Sequence, residues 1–161
     1  MGPRIRILCV GKIKEKFFRD AVAEYAKRLD RYCRLEIIEV EDEKTPEGAS
    51  ALLEDRIRDR EGDRLLARLK ESDYVIALAI EGRMRTSVEL AGQVASLLLQ
   101  GKSSLALLIG GSLGLSPGVL RRADETWSFS PMTFPHQLMR VILLEQIYRT
   151  FRINHGEPYH K

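Results

Sequence analysis

The chain has 161 residues, 44% of them hydrophobic and 30% charged, with a formal net charge of +3. Those values fit a single domain spanning residues 1–161 with enough apolar material for a real core, and they exclude an intrinsically disordered chain. No run reaches the roughly 20 apolar residues of a membrane span, and two cysteines, Cys9 and Cys33, cannot make a disulfide framework or a four-ligand metal site alone. The opening Met-Gly-Pro-Arg-Ile-Arg has no apolar stretch resembling a signal peptide, so a cytoplasmic location is the expectation. Charge is uneven: residues 1–34 carry ten Lys or Arg against four Asp or Glu, and residues 41–73 carry seven against eleven. That asymmetry permits a basic face for a phosphate backbone without requiring one.

Residues 4–10 alternate basic and apolar side chains, run into Leu-Cys-Val and close on Gly11, which reads as a first strand. Phe17, Phe18, Ala21, Val22, Tyr25, Ala26 and Leu29 then recur at helical spacing. Residues 35–40 form a second strand, followed by an acidic loop with Pro46 and Gly48. Leu52, Leu53, Ile57, Leu65, Leu66 and Leu69 predict a second helix, with Gly62 as a point of interruption. Residues 74–80 are apolar throughout and stop at Glu81-Gly82, the habit of a strand buried on both faces in a parallel sheet.

Thr86 and Glu89 have the spacing of a capping box ahead of Leu90, Val94, Leu97 and Leu98, with Gly101 near the end of that helix. Residues 104–109 are a fourth, buried strand leading into Gly110-Gly-Ser-Leu-Gly114. Ser116-Pro117 has the form of an N-cap with proline at the first helical position, opening a short helix to about Ala123. Residues 126–129 are a short fifth strand, and the last helix runs from about Gln137 to Arg152. That helix is apolar on more than one stripe and must be covered on two sides, so a partner subunit is expected. The alternation of strands and helices is that of an α/β fold with a mostly parallel sheet and helices on both faces. Ligands of such sheets bind beyond the carboxyl ends of the strands, here the loops at 81–82, 110–114 and 130–136.

Familiar nucleotide motifs are missing. Gly101-Lys-Ser103 lacks the glycine five residues earlier, where Ser96 stands, and it precedes a strand, whereas a phosphate loop follows one. Gly110, Gly111 and Gly114 fail the dinucleotide spacing because Ser112 takes the place of the second glycine. His155 and His160 have no cysteine nearby, so zinc is not expected. Ser112, Ser116, Ser128 and Ser130 have no hydrolase context. What remains is a glycine loop that is either a permissive turn or a backbone a ligand can approach closely. Beside it lies the 129–136 loop, where Pro131 and Pro135 restrict the backbone and present peptide groups in a fixed arrangement. The tail at 154–161 gathers aromatic, imidazole and cationic groups, which suit base stacking, phosphate contact or proton transfer.

Four blocks in order, Leu-Leu-Ile-Gly-Gly-Ser-Leu-Gly-Leu-Ser-Pro117, Ser-Phe-Ser-Pro-Met-Thr-Phe-Pro-His136, Arg-Val-Ile-Leu-Leu-Glu-Gln-Ile-Tyr-Arg149 and Pro-Tyr-His-Lys161, resemble the ribosomal RNA large-subunit methyltransferase H family, of the SPOUT class. The resemblance covers essentially the whole chain. It implies a C-terminal deep trefoil knot, which periodicity alone would not suggest because knots are so rare. It also implies a homodimer that uses S-adenosylmethionine to methylate N3 of a pseudouridine in large-subunit ribosomal RNA. A small protein of modest charge has limited surface for reading sequence unaided, so the assembled ribosome is the expected substrate.

Carried over position by position, the cofactor site comprises Leu78, Gly110, Phe129, Ser130, Pro131, Met132, Thr133 and Phe134. Relatives often have leucine at Phe129, Met132 and Phe134, so the pocket keeps its apolar character with a shape of its own. His160 is the candidate general base, with Tyr159 to orient or stack on the target base. Arg140 and Arg149 are candidates for phosphate or cofactor contacts, or for an ion pair with Glu145. No metal and no membrane enter this picture. The rival readings are a non-enzymatic RNA or ribosome-binding module using the basic N-terminal third, and an α/β domain for another nucleotide.

Overall fold

A computed structural model describes residues 2–159. Five strands form one sheet: β1 (Arg4–Val10), β2 (Arg34–Val40), β3 (Tyr74–Met84), β4 (Ser104–Ile109) and β5 (Glu125–Ser128). Their order is β2-β1-β4-β3-β5, and every pairing is parallel. Five helices connect them: α1 (Lys16–Leu29), α2 (Ala51–Ala67), α3 (Ser87–Leu99), α4 (Pro117–Arg122) and α5 (His136–Asn154).

The strand period of two builds a separate core on each face. Ile5, Ile7 and Cys9 of β1, with Leu105, Leu107 and Ile109 of β4, point to the side where α1 and α3 flank α5. Leu8 and Val10, with Ala106 and Leu108, point to the side covered by α2 and α4. α5 therefore has neighbours on two flanks, with Leu143, Leu144, Ile147 and Phe151 buried between them. Both cysteines are buried, and burial is the main cause that pushes each thiol up to about 12, as expected of small core hydrophobes.

Local chemistry explains the helix boundaries. Ser50, Thr86 and Ser116 each accept a backbone N–H through the side chain at an N-cap, and Thr86 with Glu89 completes the capping box. Two expectations change. Gly62 does not interrupt α2, which is continuous. A Cβ at Gly62 would lie 3.1 Å from Val119 Cγ2 of α4 and closer still to Ser116 Oγ, so glycine there permits two helices to touch. β3 does not stop at Ile80. It continues to Met84 through an irregularity in which Trp127 of β5 pairs with both Leu78 and Arg83.

That irregularity shapes the C-terminal end of the fold. The chain leaves α4 on one face, crosses the sheet edge as β5, and reaches α5 on the other face. Residues 79–82 bend around β5, and a Cβ on Gly82 would stand 2.7 Å from the backbone carbon of Trp127. Glu125 anchors the crossing. Burial would raise its pKa, but hydrogen bonds from Tyr74, Trp127 and Gln93, with the Arg85 charge, hold it below the usual carboxylate range.

Candidate functional site

The second half of β3 and the loops after β4 and β5 enclose one cavity of about 720 Å³. Its walls come from residues 78–81, from the glycine loop at 110–115 and from residues 127–136, with Met139 of α5 closing one side. Of the eight positions carried over for a cofactor, seven line it: Leu78, Gly110, Phe129, Ser130, Met132, Thr133 and Phe134. Pro131 does not line the cavity; it lies within the same loop and is exposed.

Backbone geometry sets the shape of this space. A Cβ on Gly110 would lie 2.6 Å from the carbonyl carbon of Gly114, so the loop closes on itself only because Gly110 has none. Gly114 has φ +85° and donates to the Gly111 carbonyl at 3.0 Å. The glycine loop is thus a tight turn and a cavity wall at once; the two readings of it are compatible. Opposite, Ser130 Oγ accepts the Met132 N–H at 2.9 Å, and the Ser130 carbonyl accepts the Ser128 hydroxyl at 3.1 Å. These bonds fix the loop that Pro131 and Pro135 already stiffen. Pro135 is the N-cap of α5, where no side chain caps the helix and the first turn holds no acidic residue. Unpaired N–H groups of that turn are therefore left for solvent or a ligand.

His136 opens α5 and lines the cavity. Burial, then the nearby Arg140 and Lys14 charges, lowers its pKa against the opposing pull of Asp42, so the ring is neutral at pH 7. Leu120, Trp127 and Met139 also line the cavity and went unpredicted, because in sequence they are indistinguishable from ordinary core residues.

The remaining candidates lie elsewhere. Arg140 is 2% exposed; its guanidinium donates to Glu39 at 2.5 Å and to the Gly11 carbonyl at 3.2 Å. Arg140 is thus a buried tie between α5, β2 and the end of β1, paired with Glu39 and not with Glu145. Arg149 does pair with Glu145, at 2.9 Å. Tyr159 donates to Glu145 at 2.8 Å and packs edge-on against Tyr148 at 5.0 Å, with the Arg149 guanidinium 4.7 Å from its ring centre. Burial and the Glu145 hydrogen bond push the Tyr159 phenol up to about 12. Met139 and Glu145 are six residues apart, about 9 Å along the helix, so Tyr159 is held beyond the cavity of its own chain. His160 lies outside the described residues. Among the described residues no group of three His, Cys, Asp or Glu could hold a metal ion, and no helix is long and apolar enough to cross a membrane.

A five-stranded parallel sheet flanked by helices in this order has parallels among known proteins. The family model described as predicted SPOUT methyltransferase matches residues 3–160. Ribosomal RNA large subunit methyltransferase H of Bifidobacterium adolescentis is 60% identical over 158 residues, spanning 98% of this chain and 99% of that protein. The protein of the same name from Clostridium novyi is 60% identical over 157 residues, spanning 98% and 99%. Among solved structures, a probable methylase family protein from Haemophilus influenzae superposes with a TM-score of 0.54 at 12% identity, covering 98% of this chain and 70% of that one. A putative methylase family protein from Neisseria gonorrhoeae gives 0.53 at 14%, covering 91% and 82%; both show likeness of fold. The chain belongs to the SPOUT methyltransferases and, within them, to the ribosomal RNA large subunit methyltransferase H family.

Proposed function

We propose that this chain is a single-domain, S-adenosylmethionine-dependent methyltransferase that modifies N3 of a pseudouridine in large-subunit ribosomal RNA, in the cytoplasm and on the assembled ribosome. The observation that carries the reading is the cavity at 78–81, 110–115 and 127–136, which gathers seven of the eight expected cofactor positions. Its size suits a nucleoside-sized ligand. Leu78, Phe129 and Met139 offer an apolar slot for a flat base, while the glycine loop and the first turn of α5 offer backbone groups for polar edges. The large-subunit RNA follows the names of the relatives; the pseudouridine and the position follow the family resemblance.

S-adenosylmethionine would supply an electrophilic methyl group. The chain's part is to hold it in line with the target nitrogen, since positioning is a large share of such catalysis. The fixed loops at 110–114 and 129–135 serve that end, and the neutral His136 adds no repelling cation beside a sulfonium. The target nitrogen must also lose a proton, and His160 is the proposed base, with Tyr159 beside it. Because Tyr159 is held beyond its own cavity, we assign the tail to the cavity of a second subunit in a homodimer. Leu138, Val141 and Ile142, left half-buried on the outer side of α5, are the proposed contact. The wrap of residues 79–82 around β5 is where the trefoil knot of the family would be drawn tight.

The test is incubation of the protein with methyl-labelled S-adenosylmethionine and ribosomes lacking the modification, followed by mass spectrometry of nucleosides from the large-subunit RNA. Label in N3-methylated pseudouridine is the expected result. Label absent from RNA, or on another nucleoside, contradicts the assignment.

A further inference from the structure

Beside the cavity lies a segment whose exposed side chains have no task in the core or in the proposed cofactor site. Residues 12–19 read Lys-Ile-Lys-Glu-Lys-Phe-Phe-Arg, four cations against one carboxylate, with Asp20 following. Lys12, Lys14 and Lys16 are exposed, and Phe17 is 65% exposed. The Phe17 ring meets that of Phe18 at 4.4 Å and 55°, so the outer ring is propped by the inner one. A phenyl group held in water contributes little to the stability of this fold.

The segment is tied in place. Arg19 donates to the carbonyls of Ile13 at 3.3 Å and Lys14 at 2.8 Å. The Lys14 N–H donates to Gln137 Oε1 at 3.2 Å, next to the cavity residue His136, and Arg140 holds the Gly11 carbonyl where the segment begins. Lys14 therefore stands at the cavity rim. Lys16 pairs with Asp20 at 2.7 Å, but both side chains are exposed, and such a pair exchanges readily for a phosphate. Lys12 and Lys14 have no ion-pair partner among the described residues.

Cations that neutralise phosphates, interleaved with an exposed aromatic face that accepts a base, are the two components of single-stranded RNA recognition. We propose that residues 12–19 are an RNA-gripping rim: Phe17 stacks on an unpaired base, and Lys12, Lys14 and Lys16 hold the flanking phosphates of the strand whose target base enters the cavity. This rests on the RNA substrate proposed above and locates the surface that holds it. The rim is pre-ordered, so little conformational freedom is lost when RNA docks.

The test is cosedimentation of the full-length protein with bacterial ribosomes over a range of salt. Phe17→Ala, at an exposed site, should fold as the wild type does and weaken ribosome binding about tenfold or more. Phe17→Tyr should restore it. Lys12→Gln with Lys14→Gln should weaken binding and flatten its logarithmic salt dependence by about 0.7 per lysine removed. Affinity for S-adenosylmethionine, measured by calorimetry, should stay unchanged in all of them. Wild-type ribosome binding by Phe17→Ala and by the double lysine variant would overturn the rim. A Phe17→Ala variant that sediments as a smaller species than the wild type would also overturn it, by making the segment a subunit interface. If the wild type binds ribosomes through Phe17 yet transfers no methyl group, the rim stands and the proposed reaction fails. If Phe17→Ala methylates ribosomes with unchanged KM, the rim fails and the reaction stands.

Discussion

Two arginines are buried at opposite ends of the same sheet, and they are satisfied differently. At the amino ends of the strands, Arg6 is 3% exposed and uses all three guanidinium nitrogens, on Glu36, on Asp73 and on the Arg68 carbonyl. Asp73 in turn accepts from Ser104 and from the Lys70 N–H, so β1, β3 and β4 are closed off together. At the carboxyl ends, Arg140 is equally buried, but its Nε has no partner among the described residues and Glu39, which it holds, is 37% exposed. One end of the sheet is sealed by a complete polar network, and the other is braced by a partial one next to a cavity. A partial network beside an open space is what a ligand-binding end looks like, because groups committed to the fold are unavailable to a ligand.

The contrast can be broken from either side, in falling order of the effect on stability. Arg6→Leu takes the counter-charge from the fully buried Asp73 carboxylate and should cost about 3–5 kcal/mol in urea unfolding, while the folded fraction should bind S-adenosylmethionine as the wild type does. Arg140→Leu leaves Glu39 free to turn to water, so about 2 kcal/mol is expected, with cofactor affinity down about tenfold as α5 and the end of β1 lose their tie. Gly110→Ala forces a Cβ into the Gly114 backbone and should cost about 1–2 kcal/mol while abolishing binding, since the cavity wall must move. Tyr159→Phe removes one hydrogen bond to Glu145, about 1 kcal/mol, and should lower methyl transfer without touching cofactor affinity.

The smallest effect is on pH dependence. Because the pKa of His136 is lowered on folding, the unfolded chain binds the proton more readily. Its contribution to stability is therefore present above about 6.5 and lost as pH falls through the folded value. NMR titration should find His136 below the ordinary histidine value, and Lys14→Gln should move it upward, which would sharpen the link between the basic rim and the cavity.

Much of this was legible in the sequence, for identifiable reasons. Strands and helices follow from period and caps, as at Thr86 with Glu89 and at Ser116-Pro117. The glycine and proline loops that wall the cavity were visible because those residues constrain the backbone wherever they stand. Long-range pairings were not. Glu81, Gly82, Arg83 and Met84 join β3 only because β5 lies beside them, and Gly62 sits within a helix where α4 packs against it. The role of Arg140 depends on Glu39, 101 positions earlier in the chain, and no local pattern encodes that pairing. Trp127 and Met139 read as core until the cavity they face is seen.

The central claim is that the open end of the sheet holds S-adenosylmethionine. Calorimetric titration of that compound into the wild-type protein and into Gly110→Ala tests it directly. Saturable binding by the wild type, lost in the glycine variant, is the expected result. No binding by the folded wild type, or equal affinity in both, would contradict it.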